Sequence, residues 1–406
     1  MTEAPRNLSR RTLIGSAVLA ASGSPSVRAQ APAIRIGVLN DQSGLYADFG
    51  GPTSVLAARM AVEDHGGKAL GRPVEVIAAD HQNKPDVATA IARSWFDREN
   101  VTAIADLTNS AVALAVQHLA RERGKITLLT GPATTRLTNE ECSPTGFHWV
   151  FDTYSQAAGT ARALLAEGGR TWFLLVADYA FGHQMAIDLR SVISAGGGQV
   201  LGEVRHPLNA SDFSSYLIQA RASNAQIIGL ANGGDDTVNA IKQAGEFGLT
   251  RGGQKLAGLV IVISIVHALG LQTAQGLVFT TAYYWDLDDR TRSWAKRFFA
   301  RTGRMPGMVQ AGTYSAVAHY LKALDAANTD DGSTVAAKMR ATPVDDMFTQ
   351  GRIRADGRLV HDFLLAEVKS PSESKGPWDY YKIRRRIPGE ETALPIAQSK
   401  CPLVRT

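Results

Sequence analysis

The chain reads as an α/β protein with two doubly wound parallel sheets, and three observations predict this. Short apolar runs of β-preferring residues alternate with amphipathic helical stretches from Ile34 onward, a pattern that pairs strands in parallel with helices on both faces. The alternation breaks near Asp152-Thr153 and restarts at Trp172, as a second sheet would require. At 406 residues the chain also exceeds one ordinary core, so two domains are expected, each large enough to fold without staples.

The first 29 residues read as an export leader. Ser9-Arg10-Arg11-Thr12-Leu13 resembles a twin-arginine signal, the apolar run from Leu13 to Ala21 is too short to span a bilayer, and Val27-Arg28-Ala29 offers a cleavage site before Gln30. Arg6, Arg10, Arg11 and Arg28 lie here against one acid, Glu3, so most of the net charge of +5 belongs to the leader. Nucleic-acid binding therefore has little compositional support, and Arg384-Arg385-Arg386 reads as a solvated edge. The expected location is the periplasm. In that compartment an even pair of cysteines without C-x-x-C spacing favours one disulfide, Cys142 to Cys401, over two buried thiols.

Ile34 to Leu39 forms the first strand, and Asn40 to Gly44 breaks it. The loop carries Tyr46 and Phe49 and closes on Gly50-Gly51-Pro52, where proline suits the first turn of a helix. Val55, Ala58 and Val62 line that helix, Gly66-Gly67 stops it, and Val74 to Ala79 is the second strand. Asn83 is placed to cap a helix carrying Val87, Ile91 and Trp95. The unit repeats with strand Ala103 to Leu107, the cluster Thr108-Asn109-Ser110, a helix through Leu119, strand Ile126 to Thr130 and the loop Gly131 to Thr135.

After the crossing at Asp152-Thr153, a helix runs through Leu165, strand Trp172 to Ala177 leads into Asp178 to Gly182, and a helix ends at Gly196-Gly197-Gly198. Ser211-Asp212 caps the next helix, strand Ile227 to Leu230 ends in Asn232-Gly233-Gly234, and Val238, Ile241 and Ala244 stripe the helix that follows. Leu259 to Val266 has the length of a buried strand. Strand Leu277 to Thr281 and Tyr283-Tyr284-Trp285 cross back, helices follow at about 290–301 and 308–326, and a third crossing falls near Pro343. Strands around Phe363 to Val368 and Asp379 to Ile383 finish the second domain.

Catalytic and metal spacings are missing: no G-x-S-x-G elbow, H-E-x-x-H or phosphate loop occurs, and the nine histidines are scattered. No catalytic residue, metal or cofactor is expected. What recurs is a polar or aromatic cluster after nearly every strand. Thr108 to Ser110 and Thr130 to Thr135 place hydroxyls and N–H groups where helices begin, which suits a carboxylate. Tyr46, Phe49, Tyr179, Phe181, Tyr283 and Trp285 offer flat walls around it.

The stretches DQSGLYADFG, DLTNSA, LLTGPATTRLTN, ADYAFG and GLANGGDDTVNAIKQA, in this order over residues 34 to 370, resemble the branched-chain amino-acid type of periplasmic binding protein, the ligand-capturing component of an ABC transporter. The resemblance implies a type I binding fold, two lobes on a three-strand hinge. It places 30–152 with 282–343 in the first lobe and 153–281 with 344–406 in the second. It also implies a ligand held by Tyr46, Phe49, Asn109, Ser110, Pro132, Ala133, Thr134, Tyr179, Phe181, Asn232 and Gly233. Expected partners are a small carboxylate and an inner-membrane permease, the protein itself being a monomer.

One departure bears on the ligand. Amino-acid binders of this kind place an acid after the apolar strand of the second lobe to meet the ligand's ammonium, and Val262 to His267 contains none. A buried ammonium without counter-charge is costly, so an aromatic or branched acid lacking an amine is favoured. Asp178 or Asp235 could restore the charge, which leaves a branched-chain amino acid as an alternative. A periplasmic ligand-sensing module of a signalling system is another, and a hydrolase a third.

Overall fold

A computed structural model describes Met1 and residues 32–404. The expected leader, its twin arginines and the junction at Gln30 lie outside the described residues. The first sheet is built from β1 (Ile34–Asn40), α1 (Gly51–Asp64), β2 (Lys68–Ala69), β3 (Arg72–Asp80), α2 (Pro85–Arg98), β4 (Val101–Asp106), α3 (Ser110–Glu122), β5 (Ile126–Leu129) and β6 (Gly146–His148). Strand order is β2-β3-β1-β4-β5-β6, parallel except for the β2–β3 pair. β1 is central because Ile34, Ile36, Val38 and Leu39 are covered on both faces, as a parallel strand requires. Its neighbours β3 and β4 follow it in sequence on opposite sides, so connections diverge and leave a crevice beyond the carboxyl ends of β1 and β4.

The second sheet repeats this arrangement. α4 (Thr153–Ala166), β7 (Thr171–Ala177), α5 (Ala180–Ala195), β8 (Gln199–His206), α6 (Ser214–Ala222), β9 (Ile227–Ala231), α7 (Gly234–Glu246), β10 (Lys255–Gly258), α8 (Ile263–Leu269), α9 (Leu271–Ala274) and β11 (Val278–Thr281) come in turn. β7 lies between β8 and β9, which opens a second crevice.

The chain then returns through α10 (Asp289–Thr302), α11 (Met308–Ala327) and α12 (Gly332–Ala341). α11 packs on α1, where the Tyr314 hydroxyl donates to Asp64 and the Gln310 amide donates to the Phe49 carbonyl. β12 (Val344–Asp345), β13 (Gln350–Ile353) and β14 (Leu359–His361) form a small antiparallel sheet beside β6, joined to it where His148 pairs with Arg358. β15 (Phe363–Val368) and β16 (Tyr381–Ile387) complete the second sheet, giving the order β16-β15-β11-β10-β9-β7-β8, and α13 (Gly389–Thr392) follows. Cys142 and Cys401 are bonded, S–S 2.04 Å, which ties the chain's end to the first sheet's side of the molecule. The two lobes are those of a type I binding fold.

Several elements differ from the sequence reading. Leu259 to Val266 is not a strand: the strand is Lys255–Gly258, Leu259 to Val262 is a buried loop, and a helix starts at Ile263. A continuous apolar run fits a buried strand and a buried loop-helix corner equally. Lys84, not Asn83, precedes α2, because Asn83 adopts φ +58° and donates instead to Asp41. The loop after β5 enters one short 3-10 turn, Thr135–Thr138, rather than a helix. β8 escaped notice because Gly202, Glu203 and Arg205 interrupt its apolar residues, as suits an exposed edge strand. Arg384, Arg385 and Arg386 do lie on an exposed edge strand.

Candidate functional site

Asp41, the first residue after β1, organises the leading loop. Its buried carboxylate accepts the amides of Gly44 and Tyr46 at 2.8 Å and the Asn83 side chain at 2.6 Å. With the loop folded about it, Tyr46 and Phe49 turn inward, and Phe49 meets Tyr46 and Phe151 edge-on at 6.2 Å.

The entry to α3 forms the next wall. Asp106 and Leu107 sit in the left-handed region, φ +74° and +57°, a conformation that costs residues with a Cβ about 1 kcal/mol or more and clusters at functional sites. The kink turns Thr108 and Ser110 towards the crevice. The Asn109 side chain caps α3, its Oδ1 accepting the amides of Ala111 and Val112. Ser110 Oγ accepts the amides of Ala133 at 3.3 Å and Thr134 at 3.2 Å, which leaves its own hydrogen to donate beside the positive end of a 13-residue helix. Gly131 is obligatory here, since a Cβ would lie 2.3 Å from Asp106 Oδ1 and 2.7 Å from Thr108 Cα.

The second lobe supplies the opposite wall. Tyr179 and Phe181 open α5, Gly233 precedes α7 and Val260 belongs to the loop after β10. The Tyr179 hydroxyl meets that of Tyr46 at 2.6 Å, closing the crevice between the lobes. Gly234 must be glycine, because at φ +60° a Cβ would sit 2.4 Å from the Leu45 carbonyl of the facing lobe. Ser264 Oγ donates to the Asp48 carbonyl at 2.9 Å and Thr135 Oγ1 to Asp188 at 3.1 Å, two further contacts across the gap.

Between these walls lies a narrow cavity of about 20 Å³, lined by Tyr46, Phe49, Thr108, Ser110, Gly131, Ala133, Phe151, Tyr179, Phe181, Gly233 and Val260. No charged side chain is among them. Of the residues expected from sequence, Tyr46, Phe49, Ser110, Ala133, Tyr179, Phe181 and Gly233 meet in this cavity. Four do not. Asn109 is the α3 cap, the Pro132 carbonyl accepts from His148 Nε2 at 2.8 Å, and Asn232 joins His206 to Thr237. Thr134 contributes its amide, with its buried hydroxyl unpartnered behind the wall. Tyr283 and Trp285 also lie elsewhere, Tyr283 against Trp294 and Phe348 and Trp285 donating to the Trp378 carbonyl.

Thr108, Gly131, Phe151 and Val260 were missed. Thr108 and Gly131 stand within clusters the sequence flagged, whereas Phe151 went unmarked beside the crossing and Val260 lay in a run read as a buried strand. Asp178 and Asp235 are both exposed, outside the cavity. Of the buried acids nearby, Asp106 and Asp236 have carboxyls that burial pushes up to about 6 and about 7. Burial likewise raises both phenols. The chemistry available is hydrogen-bond donation to a small anion, with aromatic faces for an apolar body. Among the described residues no cluster of His, Cys, Asp and Glu could hold a metal, and no helix is long and apolar enough to cross a membrane.

A periplasmic binding protein family model matches residues 33–377. A solved periplasmic binding protein of Burkholderia mallei is 50% identical, with TM-score 0.91 over 92% of this chain and 99% of that one. A branched-chain amino acid ABC transporter periplasmic ligand-binding protein of Burkholderia xenovorans is 43% identical, with TM-score 0.82 over 91% of this chain and 100% of that one. A Leu/Ile/Val-binding protein homologue of Brucella melitensis is 26% identical over 63% of this chain, and the match spans 65% of that relative's length.

Proposed function

Because this chain belongs to the periplasmic binding protein family, we propose that it is the substrate-binding component of an ABC transporter, taking up a small aromatic or branched carboxylate in the periplasm. The observation that carries this reading is a cavity between the lobes without charged side chains, lined by Ser110, whose Oγ is held by the amides of Ala133 and Thr134 beside the α3 N-terminus. In the bound state these groups turn to the ligand's carboxylate while Tyr46, Phe49, Phe151, Tyr179 and Phe181 enclose its apolar part. Only about 20 Å³ of free space remains in this arrangement, about enough for one water, so an acid of this class enters only as the lobes or the wall side chains move apart.

Capture in this reading is closure. The two arrangements of the lobes differ in ligand affinity, and that difference alone shifts the population towards the closed form a permease recognises. In this reading residues 30–152 with 282–343 move against 153–281 with 344–406, except that the small sheet within 344–361 and the disulfide-bonded tail, both joined to the first sheet's side, move with the first lobe. The protein acts as a monomer, without cofactor and without catalysis. A branched-chain amino acid is the second reading, favoured by the function named for the 43% identical relative.

A thermal-shift screen separates the two. Benzoate-like, cinnamate-like and branched aliphatic acids are expected to raise the melting temperature, about 2.7 kcal/mol of stabilisation at a hundredfold excess over Kd. Stabilisation by leucine and by no amine-free acid would overturn the first reading. Ser110→Ala is expected to weaken binding of the responding acid at least about tenfold, the loss of one hydrogen bond to a charged group, with the ligand-free fold retained. Unchanged affinity would remove the carboxylate site from this wall.

A further inference from the structure

The cavity wall at Thr108 and Gly131 has a carboxylate directly behind it. Asp106 is fully buried, yet the missing side chain of Gly131 brings its Oδ1 to the back of the wall. Asp106 Oδ2 accepts from Asn40 Nδ2 at 2.8 Å, and Oδ1 accepts from Thr108 Oγ1 at 3.2 Å. An ionised carboxylate has no proton to give, so in this pair Thr108 is the donor. Its hydroxyl has only one hydrogen, and once that is committed the oxygen presents lone pairs alone. Thr108 is therefore the opposite in kind to Ser110, whose oxygen already accepts the amides of Ala133 and Thr134 and whose own hydrogen is left to donate; both residues line the cavity. A ligand that satisfies both needs an acceptor and a donor on neighbouring atoms.

Resting on the carboxylate reading of this cleft, we infer that Asp106 is a positioning residue that fixes Thr108 as a hydrogen-bond acceptor, so that the site selects 2-hydroxy acids over acids without a donor beside the carboxylate. The carboxylate takes the Ser110 side, and the neighbouring hydroxyl donates to Thr108 Oγ1. A neutral donor suits the wall better than an ammonium, because no charged side chain reaches the cavity. An acid lacking that hydroxyl leaves the Thr108 oxygen desolvated and unpaired.

The test is calorimetric binding to the intact protein at pH 8, with two matched pairs: mandelate against phenylacetate, and 2-hydroxy-4-methylpentanoate against 4-methylpentanoate. The hydroxy acid of at least one pair is expected to bind about five- to tenfold more tightly, the worth of one buried hydrogen bond. Thr108→Val keeps the shape, removes the acceptor and should bring that ratio close to one, and Thr108→Ser should restore it. Asp106→Asn frees the Thr108 proton and should likewise flatten the ratio; if that variant fails to fold, the Thr108 pair decides alone. A ratio at or below one in the wild type with the deoxy acid still bound overturns the inference and leaves the carboxylate site standing. Tighter binding of phenylglycine than of mandelate overturns the neutral donor. No binding by any acid overturns both readings.

Discussion

Tyr46, which is buried, and Tyr179, which is partly buried, come from opposite lobes and share one hydrogen bond of 2.6 Å. Tyr46→Phe strands the partner hydroxyl and is expected to cost about 1–3 kcal/mol of the closed state, whereas the double change to phenylalanine strands nothing and should cost less than the sum. Ligand affinity measured across the four proteins of this cycle gives the coupling, and simple additivity would count against a latch. Histidine titration is a second matter at this scale. Burial first, and the charge of Arg358 next, hold His148 and His361 neutral down to about 4. The unfolded chain takes up these protons below its ordinary value of about 6.5, so their contribution is present above pH 6.5 and lost as pH falls towards 4. Asp106 and Asp236, raised by burial, work in the other direction, since the folded state binds their protons first between about 7 and 4. His148→Gln should therefore recover about 2 kcal/mol of acid sensitivity between pH 7 and pH 5, read as a smaller fall in denaturation free energy than the wild type shows. An identical fall in both proteins would mean that His148 titrates normally.

Helix α3 shows how one element divides labour between neighbouring residues. Asn109 and Ser110 look equivalent in the sequence, as two polar residues before an apolar stripe. The backbone separates them: Asn109, extended at φ −94° and ψ 129°, turns its side chain down the helix axis to cap it, and Ser110 begins the helix with its hydroxyl at the cavity. Asn109→Ala is expected to lower stability by about 1 kcal/mol in urea denaturation while leaving ligand affinity within about twofold, the opposite profile to Ser110→Ala. A large loss of affinity without loss of stability would return Asn109 to the binding surface. The first turn of α4 is anchored in a similar way where the chain crosses between lobes. Asp152 caps it through the Ser155 amide at 2.7 Å and pairs with buried Arg358 at 2.9 Å, which fixes the first crossing to the small sheet. Neither partner was visible in advance, because they lie 206 positions apart and only the fold makes them neighbours.

Across the whole molecule, contacts at Tyr46–Tyr179, Ser264–Asp48 and Thr135–Asp188 surround the cavity, so the lobes touch around it. The bond between Cys142 and Cys401 spans 259 positions, and chain-entropy reasoning gives such a closure about 5 kcal/mol against the unfolded state. Reduction under native conditions is expected to lower the melting temperature by on the order of 5 °C. No change on reduction would mean that the tail contributes nothing to folding. Local periodicity and turn chemistry made legible the alternation of strands and helices, the restart that makes two sheets, and the aromatic and hydroxyl clusters at strand ends, while the resemblance to a family singled out seven of the residues that line the cavity. The tertiary structure alone decided that Leu259 to Val266 bends into a loop and helix, that Phe151 and Val260 face the cleft, and that Asp106 stands behind Gly131. Those outcomes depend on which strand ends are brought together across the crevice, and no spacing along the chain records that.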